Sequence, residues 1–164
     1  MSTWDDVTTA APELAARVQE RFEATGLALL ATLRRDGAPR ISGIEPWFGL
    51  GQLWLGMMPG SRKALDLRRD GRCALHSATA DKELTEGDAK LAGVATEISD
   101  PGERAAYERG VVAASGADPA IFDEYHLFRI DITEMVFVSL APERDAILID
   151  RWSPGRPAET IRRA

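Results

Sequence analysis

The chain has 164 residues, 45% apolar and 28% charged, with 14 Gly, 9 Pro and one Cys, which is the length and composition of one soluble globular domain. Acidic residues outnumber basic ones by 26 to 20, a net charge of −6, which argues against the broad basic footprint of a nucleic-acid binder, so any basic site must be local. Apolar runs such as Leu27 to Leu33 fall far short of the roughly 20 residues that span a bilayer, and Met1 to Asp6 lacks a basic signal-peptide head. A cytoplasmic protein without membrane association is expected. Cys73 alone forms no intrachain disulfide, and one Cys with two His makes no structural zinc set.

Residues 11 to 25 place Leu14, Val18 and Phe22 four apart with charged residues between them, one apolar stripe of a helix that Gly26 ends. LALLATL from Leu27 is too short for a typical helix, and Asp36-Gly37 signals a tight reversal. A second strand returns over Arg40 to Leu50, alternating Arg40, Ser42 and Ile44 with Ile41, Gly43, Glu45 and Trp47, and Pro46 marks a bulge or edge position. Residues 51 to 58 make a third strand. Met58-Pro59-Gly60 breaks it, and Ser61 is placed to cap a short helix over Arg62 to Asp70. A strand over Arg72 to Ser77, a loop over Thr79 to Gly87 and a long strand over Asp88 to Ile98 follow. Asp100-Pro101 starts a helix reaching about Ser115, Asp118-Pro119 starts a shorter one, and HLFRIDI, EMVFVSL and AILIDRW read as three more strands. The expected fold is mainly β: about eight mostly antiparallel strands in a small barrel with peripheral helices.

The most informative stretch is GMMPGSRKALD, residues 56 to 66. A strand ends there, Pro-Gly turns the chain, and Ser61, Arg62 and Lys63 arrive at a helix start, where free backbone N–H groups and the positive dipole end already favour an anion. A phosphate fits this chemistry, and so does the bland alternative of a solvated basic helix start. Arg40, with Ser42 and Gly43 beside it, offers room for a flat ring or simply ends an exposed strand. Trp47 and Trp54 fall on strands where core packing explains them. Trp152, near the end of the last strand, covers a cofactor, covers an interface or packs the core. His76 and His126 are far apart in sequence and lack triad partners, and Cys73 reads as a small buried hydrophobe.

These stretches, LATLRRDGAPRIS, GMMPGSRKALDLRRDGRCAL, DAKLAGVATEISDPGERAAYE and ILIDRWSPG in that order, resemble the pyridoxamine 5'-phosphate oxidase-like split-barrel superfamily of flavin (FMN) enzymes, deazaflavin (F420) reductases and haem-handling proteins. The likeness covers roughly residues 25 to 153. It implies a split barrel of FMN-binding type, and a homodimer holding two flavin-type cofactors in clefts between the subunits. Residues 1–164 are expected to form a single domain, with the N-terminal helix at about 11–25 and a C-terminal tail at about 154–164. By the resemblance, Arg62 and Lys63 hold the cofactor phosphate, while Arg40, Ile41, Ser42, Gly43 and Glu45 line the isoalloxazine ring. Met57, Met58 and Ser61 border the same cleft by position, and Lys90 and Trp152 are carried over as further cofactor contacts.

The departures from the family's pattern are equally specific. The Trp-Gly-Gly segment and Arg-Leu-His motif that bind substrate in the oxidases proper are missing, so pyridoxamine phosphate is not the expected substrate. Glu45 stands where the oxidase has a Lys, and Met57 where it has a Thr, which removes a positive charge and a hydroxyl from the FMN environment. The leading expectation is an oxidoreductase that moves a hydride between bound FMN and a small molecule, with no side chain required as catalytic acid or base. F420 would replace FMN if Arg34, Arg35, Arg40 and Lys63 formed one basic groove for its acidic tail. A non-catalytic flavin or haem carrier is the alternative, favoured for haem if His76 or His126 faces the cleft. A third possibility is an interaction subunit whose cleft is sealed by Met57, Met58 and Trp152.

Overall fold

The computed structural model describes residues 2–79 and 82–164. Nine strands and four α-helices follow in the order α1 (Trp4–Ala10), α2 (Pro12–Glu23), β1 (Ala28–Leu33), β2 (Pro39–Ile44), β3 (Pro46–Gly49), β4 (Gln52–Met57), α3 (Arg62–Arg69), β5 (Arg72–Ser77), β6 (Asp88–Glu97), α4 (Pro101–Ser115), β7 (His126–Leu140), β8 (Ile147–Trp152) and β9 (Glu159–Arg163), with a 3₁₀ turn over Pro119–Phe122 before β7. Every named pairing is antiparallel.

The sheet path is β2-β1-β5-β6-β7-β4-β3, with β8 and β9 continuing from β7. Its two ends, β2 and β3, are consecutive in the chain and separated by Glu45 alone. A flat sheet would hold its two end strands several strand widths apart, so the sheet must curl until they meet at that residue. The roll is closed there by the chain itself, with no ladder between β2 and β3. A seam of strand edge is left open beside Glu45.

Four expectations need correction. The Arg40 to Leu50 strand is two strands: with the chain turning at Glu45-Pro46, β2 pairs with β1 while β3 pairs with β4. HLFRIDI and EMVFVSL are one strand, β7, long enough for β4 and β8 to share one edge of it end to end. Residues 154–164 are more than a tail, because Glu159–Arg163 pairs with β8 as β9. A further helix, α1, precedes the expected one. Thr3 accepts from the Asp6 backbone while the Asp6 carboxylate accepts from the Thr3 backbone, a reciprocal cap that stabilises this short turn.

The core fills the roll and the space beneath the two N-terminal helices. Leu14, Val18 and Phe22 of α2 are buried, at up to 6% exposure, and α2 packs on β6 and β7. Burying each such side chain contributes about 1.5 to 3 kcal/mol. Trp152 lies in this core at 4% exposure and Cys73 at 8%, and burial pushes the Cys73 thiol up to about 12. A second cluster of Trp54, Ile98, Tyr107 and Leu127 joins α4 to the outside of the roll, with Trp47, Val111, Phe122 and Tyr125 packed on it. Gly110 makes that docking possible, since a Cβ there would stand 2.4 Å from the Trp47 ring.

Candidate functional site

Two concavities flank the start of α3. Adjacent helical residues point about 100° apart, and Arg62 and Lys63 follow this rule: Arg62 lines one concavity and Lys63 the other. The chain turns into α3 at Pro59-Gly60, and the Gly60 N–H donates to His126 Nε2 at 3.1 Å. His126 Nδ1 in turn lies 2.8 Å from Glu97 Oε1, while Glu97 Oε2 takes the Arg68 guanidinium at 2.8 Å. A neutral imidazole with its proton on Nδ1 satisfies both contacts, so β6, β7 and α3 together fix the turn that presents Ser61, Arg62 and Lys63.

The first concavity, of about 660 Å³, is lined by Arg34, Arg35, Arg40, Arg62, Arg69, Leu65, Asp36 and Asp66. Five guanidiniums face two carboxylates, leaving a strongly positive hollow in a chain that is negative overall. Asp66 holds it together from below: its Oδ2 accepts from Arg40 Nε at 2.6 Å and Thr32 at 3.0 Å, and its Oδ1 accepts from Arg69 at 3.1 Å. Burial alone would raise the Asp66 carboxyl, but these three donors outweigh it and hold the group below its ordinary value. Arg69 also donates to the Leu33 carbonyl. Arg62 is exposed and has no ion-pair or hydrogen-bond partner among the described residues.

The second concavity, of about 620 Å³, opens along the seam. Gly43, Glu45, Pro46 and Trp47 form one edge, Gly56, Met57, Met58 and Lys63 the floor, and Tyr107, Val111, Phe122 and Tyr125 the far wall. Lys63 Nζ donates to the Gly43 carbonyl at 2.6 Å, on β2, an end strand that pairs with β1 alone. Desolvation lowers the Lys63 ammonium below its ordinary value, with Glu45 opposing. The wall is aromatic. Tyr107 meets Trp47 edge-on at 5.5 Å between centroids, Phe122 edge-on at 5.9 Å and Tyr125 stacked at 6.1 Å. Gly56 leaves room for the Tyr107 hydroxyl, since a Cβ there would stand 2.8 Å from it.

Ser61 is the N-cap of α3, yet its hydroxyl caps nothing, and its Oγ is buried with no hydrogen-bond partner among the described residues. An unsatisfied buried hydroxyl costs about 1 to 3 kcal/mol. A ligand oxygen at the helix start would remove that cost.

Of the residues singled out in the sequence, Gly43, Glu45, Met57, Met58 and Lys63 line the seam cleft, Arg40 and Arg62 line the basic hollow, and Ser61, expected at the cleft border, lines neither. Ile41 and Lys90 are exposed, Ser42 is half-buried, and none of these three lines either concavity. Trp152 packs the core and covers neither, and with Met58 78% exposed the cleft is open rather than sealed. Arg34, Arg35 and Arg40 do share one hollow, with Arg62 and Arg69, while Lys63 faces away from it. His126 spends both ring nitrogens on Gly60 and Glu97, and His76 lines neither concavity.

Several cleft residues were not legible as such. Trp47, expected in the core, is half-buried and forms the cleft edge. Tyr107, Val111 and Ser115 all line the cleft, and their four-residue spacing along α4 was the available signal that they share a face. Phe122 and Tyr125 reach the wall only because the 3₁₀ turn folds back onto α4.

The family model described as pyridoxamine 5'-phosphate oxidase matches residues 14–139. No curated protein is matched. Among solved structures, PhzG from Burkholderia lata 383, in complex with tetrahydrophenazine-1-carboxylic acid, is 16% identical, with a TM-score of 0.67 over 97% of this chain and 94% of that one. A pyridoxamine 5'-phosphate oxidase-related, FMN-binding protein from Nostoc punctiforme is 15% identical, with a TM-score of 0.65 over 94% of this chain and 96% of that one. The heme-binding protein from Mycobacterium smegmatis is 19% identical, with a TM-score of 0.61 over 90% of this chain and 57% of that one. These likenesses establish the fold, a mainly β split barrel whose sheet stays open at the seam.

Proposed function

Because the chain belongs to the pyridoxamine 5'-phosphate oxidase family, we propose that it is a flavin-dependent oxidoreductase that transfers a hydride between a bound flavin and a small molecule. The observation that carries this reading is the buried, unpartnered Ser61 hydroxyl at the start of α3, the helix whose next two residues, Arg62 and Lys63, line the basic hollow and the aromatic cleft. The residues present fit the cofactor. Ser61, Arg62 and the free N–H groups of α3 would hold its phosphate. Gly43 to Glu45, with Met57 and Met58, would lie against its ring. When bound, the flavin supplies the hydride chemistry. The chain supplies orientation, an anion grip and an apolar wall that limits water.

FMN is the cofactor this reading takes first. The five-arginine hollow favours F420 as the second, because a long acidic tail would find counter-charges there that an FMN phosphate alone does not need. A haem carrier finds less support, since no histidine nitrogen is free within either concavity. The protein is further proposed to be a cytoplasmic homodimer. Among the described residues no helix is long and apolar enough to cross a membrane. Leu27, Leu29, Ile41, Met58 and Leu65 are all more than 40% exposed around β1, β2 and the start of α3. Apolar surface so concentrated beside a site marks where a second copy would cover it.

The test is the absorption spectrum of the purified protein, titrated separately with FMN, F420 and haem. A flavin-type spectrum that bleaches on reduction and recovers with a substrate supports the reading. Absence of any flavin binding would end it.

A further inference from the structure

The wall of the seam cleft defines what approaches the ring. Its charged groups are Glu45, Glu124 and Lys63, two carboxylates against one ammonium, and that ammonium spends one of its three donors on the Gly43 carbonyl. The nearby guanidinium of Arg104 lies behind the wall, 4.0 Å over the Tyr125 ring and donating to the Ile98 and Tyr125 carbonyls. Among the described residues Lys63 is the one cation on the lining, and two carboxylates outnumber it. The arginines that could meet an anionic substrate open into the other concavity.

Tyr107 brings a phenol to the wall of the cleft, over Gly56. Tyr107 is 6% exposed, lines the cleft, and its hydroxyl makes no hydrogen bond among the described residues. Burial, with Glu45 adding to it, pushes this phenol up to about 12, so near neutral pH it stays protonated and donates. The Tyr125 hydroxyl differs in this respect, donating to Glu108 at 2.8 Å. An unpartnered phenol donor beside Trp47, Phe122 and Tyr125 fits the edge of a flat molecule that carries an acceptor.

We infer that the cleft takes an uncharged or cationic planar aromatic substrate bearing a hydrogen-bond acceptor, that Tyr107 donates to that acceptor, and that Glu45 repels carboxylate and phosphate analogues of the same shape. This rests on the flavin reading above. It adds the substrate class, and it assigns to Tyr107 and Glu45 the discrimination between neutral and anionic forms.

Three probes on one bicyclic frame test it: 2-acetylnaphthalene, naphthalene-2-carboxylate and N-methylquinolinium, each titrated calorimetrically into the purified protein with its flavin bound. The ketone and the quinolinium are expected to bind at least tenfold more tightly than the carboxylate. Tyr107→Phe should weaken the ketone by roughly tenfold, the value of one hydrogen bond, and leave the quinolinium and the fold unchanged, because the lost hydroxyl had no partner. Glu45→Gln should bring the carboxylate toward the ketone. A carboxylate bound as tightly as the ketone, or a Tyr107→Phe protein that binds the ketone as the parent does, overturns the inference. Flavin binding is read separately from the visible spectrum. Its failure overturns the flavin reading, and a flavin-loaded protein that prefers the carboxylate overturns the substrate class alone.

Discussion

The backbone N–H of Gly60 donates to the Nε2 of His126, and this one contact ties the turn before α3 to a strand 66 residues further along the chain. An imidazole can accept there only while Nε2 is unprotonated. His126→Ala should therefore release the turn and weaken cofactor binding by roughly tenfold, the value of one hydrogen bond. His126→Gln, whose amide oxygen can accept, should restore part of it. Flavin fluorescence titrations of the two variants measure both.

Arg62 and Lys63 stand side by side in sequence but open into different concavities, so their single substitutions should separate. Arg62→Ala should weaken the binding of a phosphate-bearing flavin by roughly tenfold to a hundredfold, the range for a charge-assisted contact. Riboflavin, which has no phosphate, should bind the variant as it binds the parent. Lys63→Ala should weaken both, since it frees the Gly43 carbonyl at the cleft edge. Equal losses for riboflavin and FMN in Arg62→Ala would remove the phosphate role.

Asp66 accepts from Arg40, Arg69 and Thr32, and its carboxyl is held below the model-compound value of 3.8. A depressed acid contributes stability that is fully present above its unfolded value and is lost as pH falls through its folded one. Urea denaturation should show the parent losing stability below about pH 4. Asp66→Asn should be less stable near neutrality by about 2 kcal/mol and should lose less on acidification.

Ile41 is 72% exposed and Leu29 47% exposed on neighbouring strands, outside the barrel and beside the site. Sedimentation should find the parent protein dimeric. Ile41→Asp with Leu29→Asp should shift it toward monomer while the far-ultraviolet spectrum stays unchanged, and cofactor affinity should fall in step because the covering copy is gone. A monomeric parent that binds flavin normally would contradict this.

Local patterns in the sequence carried much of the fold. The stripe of Leu14, Val18 and Phe22, the Asp36-Gly37 turn, the Asp100-Pro101 start of α4 and the bounds of β5 all depend on residues a few positions apart, where periodicity and turn chemistry act. The break at Glu45 escaped because Pro46 is as compatible with a bulge in one strand as with the division between two. Only the partners, β1 for β2 and β4 for β3, distinguish those cases. The aromatic wall escaped for a related reason. Tyr107, Phe122 and Tyr125 belong to a helix, a 3₁₀ turn and the approach to β7, and nothing local says that they meet Trp47.

By itself the sequence determined a mainly β chain and a basic, anion-seeking start to α3, because alternation, caps and residue chemistry are local properties. Tertiary structure decided that the two basic neighbours face apart, that five arginines from the β1–β2 turn, β2 and α3 share a hollow, and that Tyr107 lines the same cleft as Glu45. Those relations arise only when a sheet rolls far enough to bring its two end strands together, a closure set by pairings between residues far apart in the chain.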